Sequence, residues 1–252
     1  MTTNNPLRVL DLFSGLGGWS GPAKARGHEV VTLDFDPKFG ADHVLDITMV
    51  RDLADLERSG PFDIIFASPP CEAFSTGSIG RHWGGGHRAY SPKTPQAAVA
   101  LAVMQQTFAL IDNYLREHPR TRYVIENPRG VMRKLAPRPP TDTTWYCQWG
   151  ETRAKPTDLW TNMNLYTAGY WPKCRNGGTD HDAQSRYYWK RKMLGQTGGT
   201  QGLKDAATRA LIPVRLAEAL TNFAEGYHAP VKPTCTCGHQ LQPHDQLKGV
   251  CL

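Results

Sequence analysis

A cysteine set behind two prolines, Ser68-Pro69-Pro70-Cys71, is the residue of this chain best suited to act as a nucleophile. Proline fixes the backbone angle ahead of it. Ser75 and a glycine-rich stretch follow, so the sulfur is expected to project from a loop at a strand end. A thiol there gains thiolate character beside a cation or a helix N-terminus. Glu126, followed by Asn127 and Pro128, places a carboxylate after a second apolar run, and Asn127 is suited to orient the neighbouring loop. A third element, Asp11-Leu12-Phe13-Ser14-Gly15-Leu16-Gly17-Gly18, joins an apolar run to a glycine turn. Glycine there permits a tight turn and close approach of the backbone to a nucleotide-like group, although the spacing is GxGG and not GxGxxG. Asp34 follows roughly 20 positions later, where an acid holds a ribose hydroxyl. Phe35 beside it offers a face for a purine, and Asp46 an acceptor for an exocyclic amine. Asp36 and Asp46 taken singly read equally well as solvated acids in turns, whereas the register of Asp34 behind the glycines favours a ligand.

These groups serve chemistry only if a fold gathers them. Residues 8–12, 29–34, 63–67 and 122–125 are short apolar, β-branched runs that read as strands, and 19–26, 50–58 and 96–117 read as helices. Alternation of strand and helix implies an α/β, Rossmann-like fold, with a mostly parallel sheet covered by helices on both faces. In such sheets the ligand crevice lies beyond the carboxyl ends of the strands, where all three motifs fall. Residues 76–95, rich in Gly, Ser and His, form a long loop of the kind that is either a mobile functional element or disordered. A last helix is expected over 213–225, with Pro213 in its first turn. The chain therefore divides into a catalytic, cofactor-binding domain (1–160), a small recognition segment (161–204), a return to the catalytic domain (205–227) and a Cys/His tail (228–252).

The 252 residues are 40% apolar and carry a formal charge of +6, with a pI near 9.0. A basic balance fits a polyanionic partner. Between positions 173 and 192, Lys173, Arg175, Arg186, Lys190, Arg191 and Lys192 interleave with Tyr187, Tyr188 and Trp189. Such a segment suits phosphate contact and base stacking; the plainer reading is a solvated loop. No apolar run has membrane-spanning length and the N-terminus has no signal pattern, so a cytoplasmic protein is expected. Of six cysteines, Cys147 and Cys174 read first as inert packing residues. Cys235, Cys237, His244 and Cys251, with His239 as an alternative ligand, suit one structural zinc.

In order, DLFSGLGG, PPC with a following FS, and ENP resemble the DNA cytosine-5 methyltransferase family, in a small bacterial or phage-type form. Leu33-Asp34-Phe35-Asp36 resembles the ribose-and-adenine element, which in that family more often has Glu followed by Trp. Asp46-Ile47-Thr48 resembles its adenine-binding element. Residues 151–155 resemble its QxRxR element, with Glu151 for Gln and Lys155 for the last Arg. The resemblance covers about the first two-thirds of the chain, with a weaker echo at 207–220. It implies S-adenosyl-L-methionine as cofactor, held by Phe13, Gly15, Gly17, Gly18, Asp34, Phe35, Asp46 and Pro70. It also implies Cys71 attack on C6 of a cytosine flipped out of double-stranded DNA, with Glu126 stabilising the ring and Arg153 or Lys155 holding the base through O2 or a neighbouring phosphate. Ser75, Asn127 and Arg209 then contact substrate, the 76–95 loop closes over the base, and the enzyme acts as a monomer. Three alternatives stay open. Arg209 near a sulfonium would suit a donor carrying an extra carboxylate. A DNA-binding relative without turnover is disfavoured by the presence of Cys71 and Glu126. An RNA enzyme of this chemistry would commonly place a second cysteine where Glu126-Asn127-Pro128 stands.

Overall fold

The structure, a computed structural model, describes residues 6–86, 89–151, 155–165 and 206–226. Five strands are buried along most of their length because their apolar residues face both ways: β1 (Arg8–Leu12), β2 (Glu29–Asp34), β4 (Ile64–Ala67), β7 (Arg122–Pro128) and β9 (Pro156–Thr161). With β3 (His43–Val44) and β8 (Asp142–Trp145) they form a seven-stranded sheet in the order β3-β2-β1-β4-β7-β9-β8. The β1–β2, β2–β3, β1–β4 and β4–β7 pairs are parallel, and β9 runs antiparallel to β7. The order reverses between β1 and β4, the place where doubly wound sheets open a crevice.

Alternation along the strands sends one set of side chains to each face. Leu10, Leu12, Val31, Leu33, Ile65, Ala67 and Ile125 share a core with Ala97, Met104, Phe108 and Ile111 of the long helix α3 (Pro95–Glu117). On the other face Phe66 stacks on Trp19, with centroids 4.6 Å apart, at the start of the helix α1 (Ser20–Ala25). Helices therefore cover both faces. Each such buried Leu, Ile or Phe contributes about 1.5–3 kcal/mol, so the strand ends are held on a stiff platform.

Several expectations are corrected. Residues 50–58 form no α-helix, only a 3₁₀ turn at Ala54–Leu56. Val50, Leu53 and Leu56 are buried at intervals of three, and the Asp52 carboxylate takes the Ala54 N–H at 3.0 Å, closing a tight turn instead. Strand β7 runs past Ile125 through Glu126 and Asn127 to Pro128, which lies opposite Thr157 of β9 and beyond the last residue paired with β4. A residue without an N–H is tolerated there. Pro213 stands outside the helix it was expected to open, as the cap residue before Val214–Ala224. The 76–95 stretch has structure of its own among the described residues: a 3₁₀ turn at Thr76–Ser78, the short helix α2 (Ile79–His82), and a hairpin pairing β5 (Trp83–Gly84) with β6 (Ser91–Pro92).

The contacts divide the chain into two compact units, residues 1–143 with 157–163, and 144–156 with 164–252. The described residues 206–226 group with 144–156 in the second unit. Within the second unit, the helices α5 (Ala206–Ala210) and α6 (Val214–Ala224) accompany a buried turn at Tyr146–Trp149. Here α4 denotes the short helix Met132–Leu135 of the first unit. Among the described residues no helix is long and apolar enough to cross a membrane.

Candidate active site

The glycine turn hangs from the end of β2. Phe13 and Ser14 donate their N–H groups to the Leu33 carbonyl at 2.8 and 3.1 Å. Phe13 takes φ of 64°, and Gly15 and Gly17 take 49° and 78°. A side chain at Gly17 would press on Ser20 Oγ at 3.2 Å and be strained by the backbone angle. The turn thus offers a bare backbone surface beyond the ends of β1 and β2.

Asp34 is buried, and both its oxygens are engaged by backbone: Oδ2 accepts from Gly15 N–H at 2.9 Å and Oδ1 from Asp36 N–H at 3.0 Å. In this structure the carboxylate braces the turn. Phe35 beside it is 66% exposed, an unusual placement for a large apolar ring and one that suits stacking. Asp46 lies two residues past β3, where Oδ1 takes the N–H and hydroxyl of Thr48 at 2.9 and 2.8 Å and caps a 3₁₀ turn. The bare turn, the braced acid and the exposed ring fit a nucleoside-type cofactor such as S-adenosylmethionine. Gly18 lies in the same turn, and Pro70 is exposed at the end of the loop after β4.

Sequence reasoning missed Asp11. It sits on β1 beneath the turn, wholly buried, with Oδ2 accepting from Ser20 N–H at 3.0 Å and Oδ1 without a partner among the described residues. Burial pushes its carboxyl up to about 7, against the opposing hydrogen bonds of Ser20. Because the folded chain holds this proton more tightly than the unfolded chain, whose ordinary value is 3.8, stability falls as pH rises between those values. The slope is on the order of 1 kcal/mol per pH unit. An Asp11→Asn variant keeps an acceptor for Ser20 and is expected to melt with a flatter pH profile from pH ~4 to ~7; thermal melts of both proteins that run parallel would rule this out.

The turn and the nucleophile loop are tied together. Trp19 Nε1 donates to Ser68 Oγ at 2.9 Å. Beyond Ser68, Pro69 is buried and Cys71 half-buried. The next strand holds this loop: Asn127 Nδ2 donates to the Pro69 carbonyl at 2.9 Å. Asn127 is completely buried; its Nδ2 supports the loop, and its Oδ1 has no partner among the described residues. Ala67 of β4 is in register with Ile125 of β7, which puts buried Glu126 one residue further, beside the loop that carries Cys71. Further along, Phe74 N–H reaches back to the Cys71 carbonyl at 3.1 Å, Val131 N–H donates to the Phe74 carbonyl at 2.8 Å, and Trp83 Nε1 donates to the Ala73 carbonyl at 2.7 Å. Phe74 and Trp83 stack at 5.7 Å. Ser75 caps the Thr76–Ser78 turn by accepting from Gly77 N–H at 3.3 Å. The clearest signal for these braces is a single residue, Trp83, which sequence patterning does not distinguish from an ordinary core position.

Two further candidates belong to the second unit. In the second unit Lys155 Nζ donates to the Arg209 carbonyl at 3.3 Å and lies 4.3 Å from the Tyr146 ring centre, so its charge ties that unit together. Arg209, half-buried, sits in α5. Cys147 is buried, as an inert packing cysteine would be. Arg153, Cys174, the basic-aromatic segment 173–192, and Cys235, Cys237, His239, His244 and Cys251 lie outside the described residues. Among the described residues no group of His, Cys, Asp and Glu is arranged to hold a metal.

A doubly wound sheet whose order reverses at a glycine turn, with a thiol in the loop after β4 and a carboxylate near the end of β7, has the architecture of nucleotide-cofactor folds. Sequence comparison narrows the class. A "Probable DNA (cytosine-5)-methyltransferase" of Frog virus 3 (isolate Goorha) is 33% identical over 216 residues, which cover 81% of this chain and 92% of that protein. This chain belongs to the DNA (cytosine-5)-methyltransferase family. The relative is viral, so it lends no support to the bacterial or phage source expected above. No protein-family model matches the chain. Solved structures that align with it include the S. pombe Dnmt2 methyltransferase, at 15% identity over 64% of this chain and 50% of that one, with a TM-score of 0.37. The Entamoeba histolytica methyltransferase EhMeth aligns at 13% identity over 62% and 52%, with a TM-score of 0.40. This chain spans about half the length of those two proteins.

Proposed function

We propose that this chain methylates C5 of a flipped cytosine in double-stranded DNA, with S-adenosylmethionine as donor. The observation that supports it best is the 2.9 Å bond from Asn127 to the Pro69 carbonyl, which sets the Cys71 loop of β4 beside Glu126 of β7. Cytosine C5 is a poor nucleophile. Addition of the Cys71 thiolate to C6 forms a carbon–sulfur bond and moves electron density to C5. Glu126, hydrogen-bonded to the N3 edge, offsets the charge that develops on the ring. When bound, the cofactor supplies an electrophilic methyl on a sulfonium. After C5 has been alkylated, loss of its proton to a water-assisted base restores the double bond and releases Cys71. Phe13, Gly15, Gly17 and Gly18 would line the donor, with Phe35 stacked on the purine and Asp46 Oδ2 accepting from its amine. Asp34 would reach a ribose hydroxyl only while still bracing Gly15. Ser75, Arg153 and Arg209 remain proposed contacts to the nucleic acid or base.

Incubation of mixed-sequence duplex with S-adenosylmethionine, followed by nucleoside mass spectrometry and sequencing of modified cytosines, tests the reading. A mass gain of one methyl is expected; a larger substituent would point to a carboxylated donor, and product on RNA alone would replace DNA as substrate. We also propose that Cys235, Cys237, His244 and Cys251 clip the tail around one zinc ion. Elemental analysis of the purified full chain should find about one equivalent, lost together with tail stability on chelation; metal-free protein with an unchanged tail would dismiss the site.

A further inference from the structure

We propose that Arg129 is a phosphate contact that fixes the nucleic-acid backbone next to the target nucleotide. This rests on the reading of the chain as a DNA methyltransferase. The segment after Glu126-Asn127-Pro128 carries three arginines, and two of them are committed to the fold. Arg133 donates from Nε to buried Asp158 at 2.8 Å, and its Nη2 binds both Asp158 and Thr143. Arg138 forms a two-pronged pair with Asp112 at 2.8 and 2.9 Å and lies over the rings of Phe108 and Tyr123. Arg129 is exposed and has no carboxylate partner among the described residues.

Its position matters as much as its charge. Arg129 follows the last residue of β7, three positions beyond Glu126, at the carboxyl ends of the strands where Cys71 also lies. The backbone on both sides of it is fixed. Pro128 is in register with Thr157 of β9, and Gly130 sits so close beneath the Phe74 carbonyl that an added Cβ would come within 2.1 Å of it. A long cationic side chain on an immobile backbone is already aimed, so binding orders only its own rotamers. A guanidinium fork also matches the geometry of a phosphate. Any polynucleotide that delivers a base to Cys71 and Glu126 must bring its own phosphates past this rim. A contact of that kind positions the strand without reading its sequence.

The test uses the full chain and three variants: Arg129→Ala, Arg129→Lys, and Arg116→Ala as a charge-loss control. Arg116 lies in the last turn of α3, which leads into the first residue of β7, and so marks the opposite end of the sheet. Equilibrium binding of mixed-sequence duplex is measured from ~50 to ~200 mM salt, with cofactor affinity measured alongside. Arg129→Ala is expected to weaken duplex binding about tenfold at the lowest salt. It should also reduce the slope of log K against log salt by about 0.9, the loss of one phosphate contact. Cofactor affinity and the set of methylated sequences should not change, Arg129→Lys should recover much of the slope, and Arg116→Ala should keep all of it. If the wild type binds and methylates duplex while Arg129→Ala keeps the full slope, the contact is refuted and the functional reading stands. An equal loss of slope in Arg116→Ala would refute it too, by showing a diffuse charge effect. A wild type that binds no duplex overturns both.

Discussion

A Cys71→Ser variant is expected to bind duplex and cofactor normally and yet lose more than about 10³-fold in turnover. Serine matches cysteine in shape, and the backbone carbonyls that hold the loop are retained by the substitution. Pro69 is buried and its carbonyl is bonded to Asn127, while the backbone N–H of Phe74 reaches the carbonyl of residue 71, which the substitution retains. What changes is the nucleophile. A hydroxyl does not ionise near neutral pH, so the oxygen is a far weaker nucleophile toward C6 than a thiolate. The measurement that isolates this step is adduct formation on duplex containing 5-fluorocytosine, where the fluorine blocks the final elimination. Wild-type protein should form a covalent complex mapping to the Cys71 peptide, and the serine variant none. An adduct through a different residue, or undiminished turnover by the variant, would remove Cys71 from the mechanism.

How far the sequence discloses this site depends on how local each interaction is. The runs at 8–12 and 29–34 coincide with β1 and β2 because apolar and β-branched residues facing both ways leave few alternatives to a buried parallel strand. The 50–58 stretch misleads for a related reason. Apolar residues three apart suggest a helix, yet one aspartate at position 52 diverts the backbone into a tight turn. Glycine and acid motifs show what kinds of groups are present and not how each is used. Asp34 stands where a ribose acid belongs, but its two oxygens already hold the backbone of residues 15 and 36. Asp11 looks like a strand residue, and only complete burial gives it a raised carboxyl. The join between the nucleophile and the acid is wholly non-local: Asn127 and Pro69 are 58 positions apart and meet because β4 and β7 are neighbours. Strand order is a property of packing, and no short motif encodes it.

The same dependence on packing gives Gly130 an importance that no side chain of its own could supply. A Gly130→Ala substitution is expected to lower turnover about a hundredfold and to cost about 1–3 kcal/mol of stability. Its backbone angle is not in the left-handed region, so alanine meets no conformational penalty there; the obstacle is contact. The new Cβ would come within 2.1 Å of the Phe74 carbonyl oxygen and 3.1 Å of its carbon. Backbone cannot rotate out of the way as a lysine tip would. Either the carbonyl moves, breaking its 2.8 Å bond from Val131 N–H, or the turn after β7 moves and carries Glu126 and Asn127 with it. Both routes end at the nucleophile. Phe74 is bonded through its N–H to the Cys71 carbonyl, and its ring is stacked on Trp83 at the base of the hairpin. Cofactor affinity should stay near the wild-type value, because the glycine turn is held by the Leu33 carbonyl and Asp34, and its bond from Trp19 to the nucleophile loop falls at Ser68, ahead of Cys71 and Phe74. The defect should therefore appear in adduct formation and turnover while cofactor binding persists. If Gly130→Ala melts and turns over like the wild type, the Phe74 carbonyl yields without cost and this brace does not set the position of Cys71.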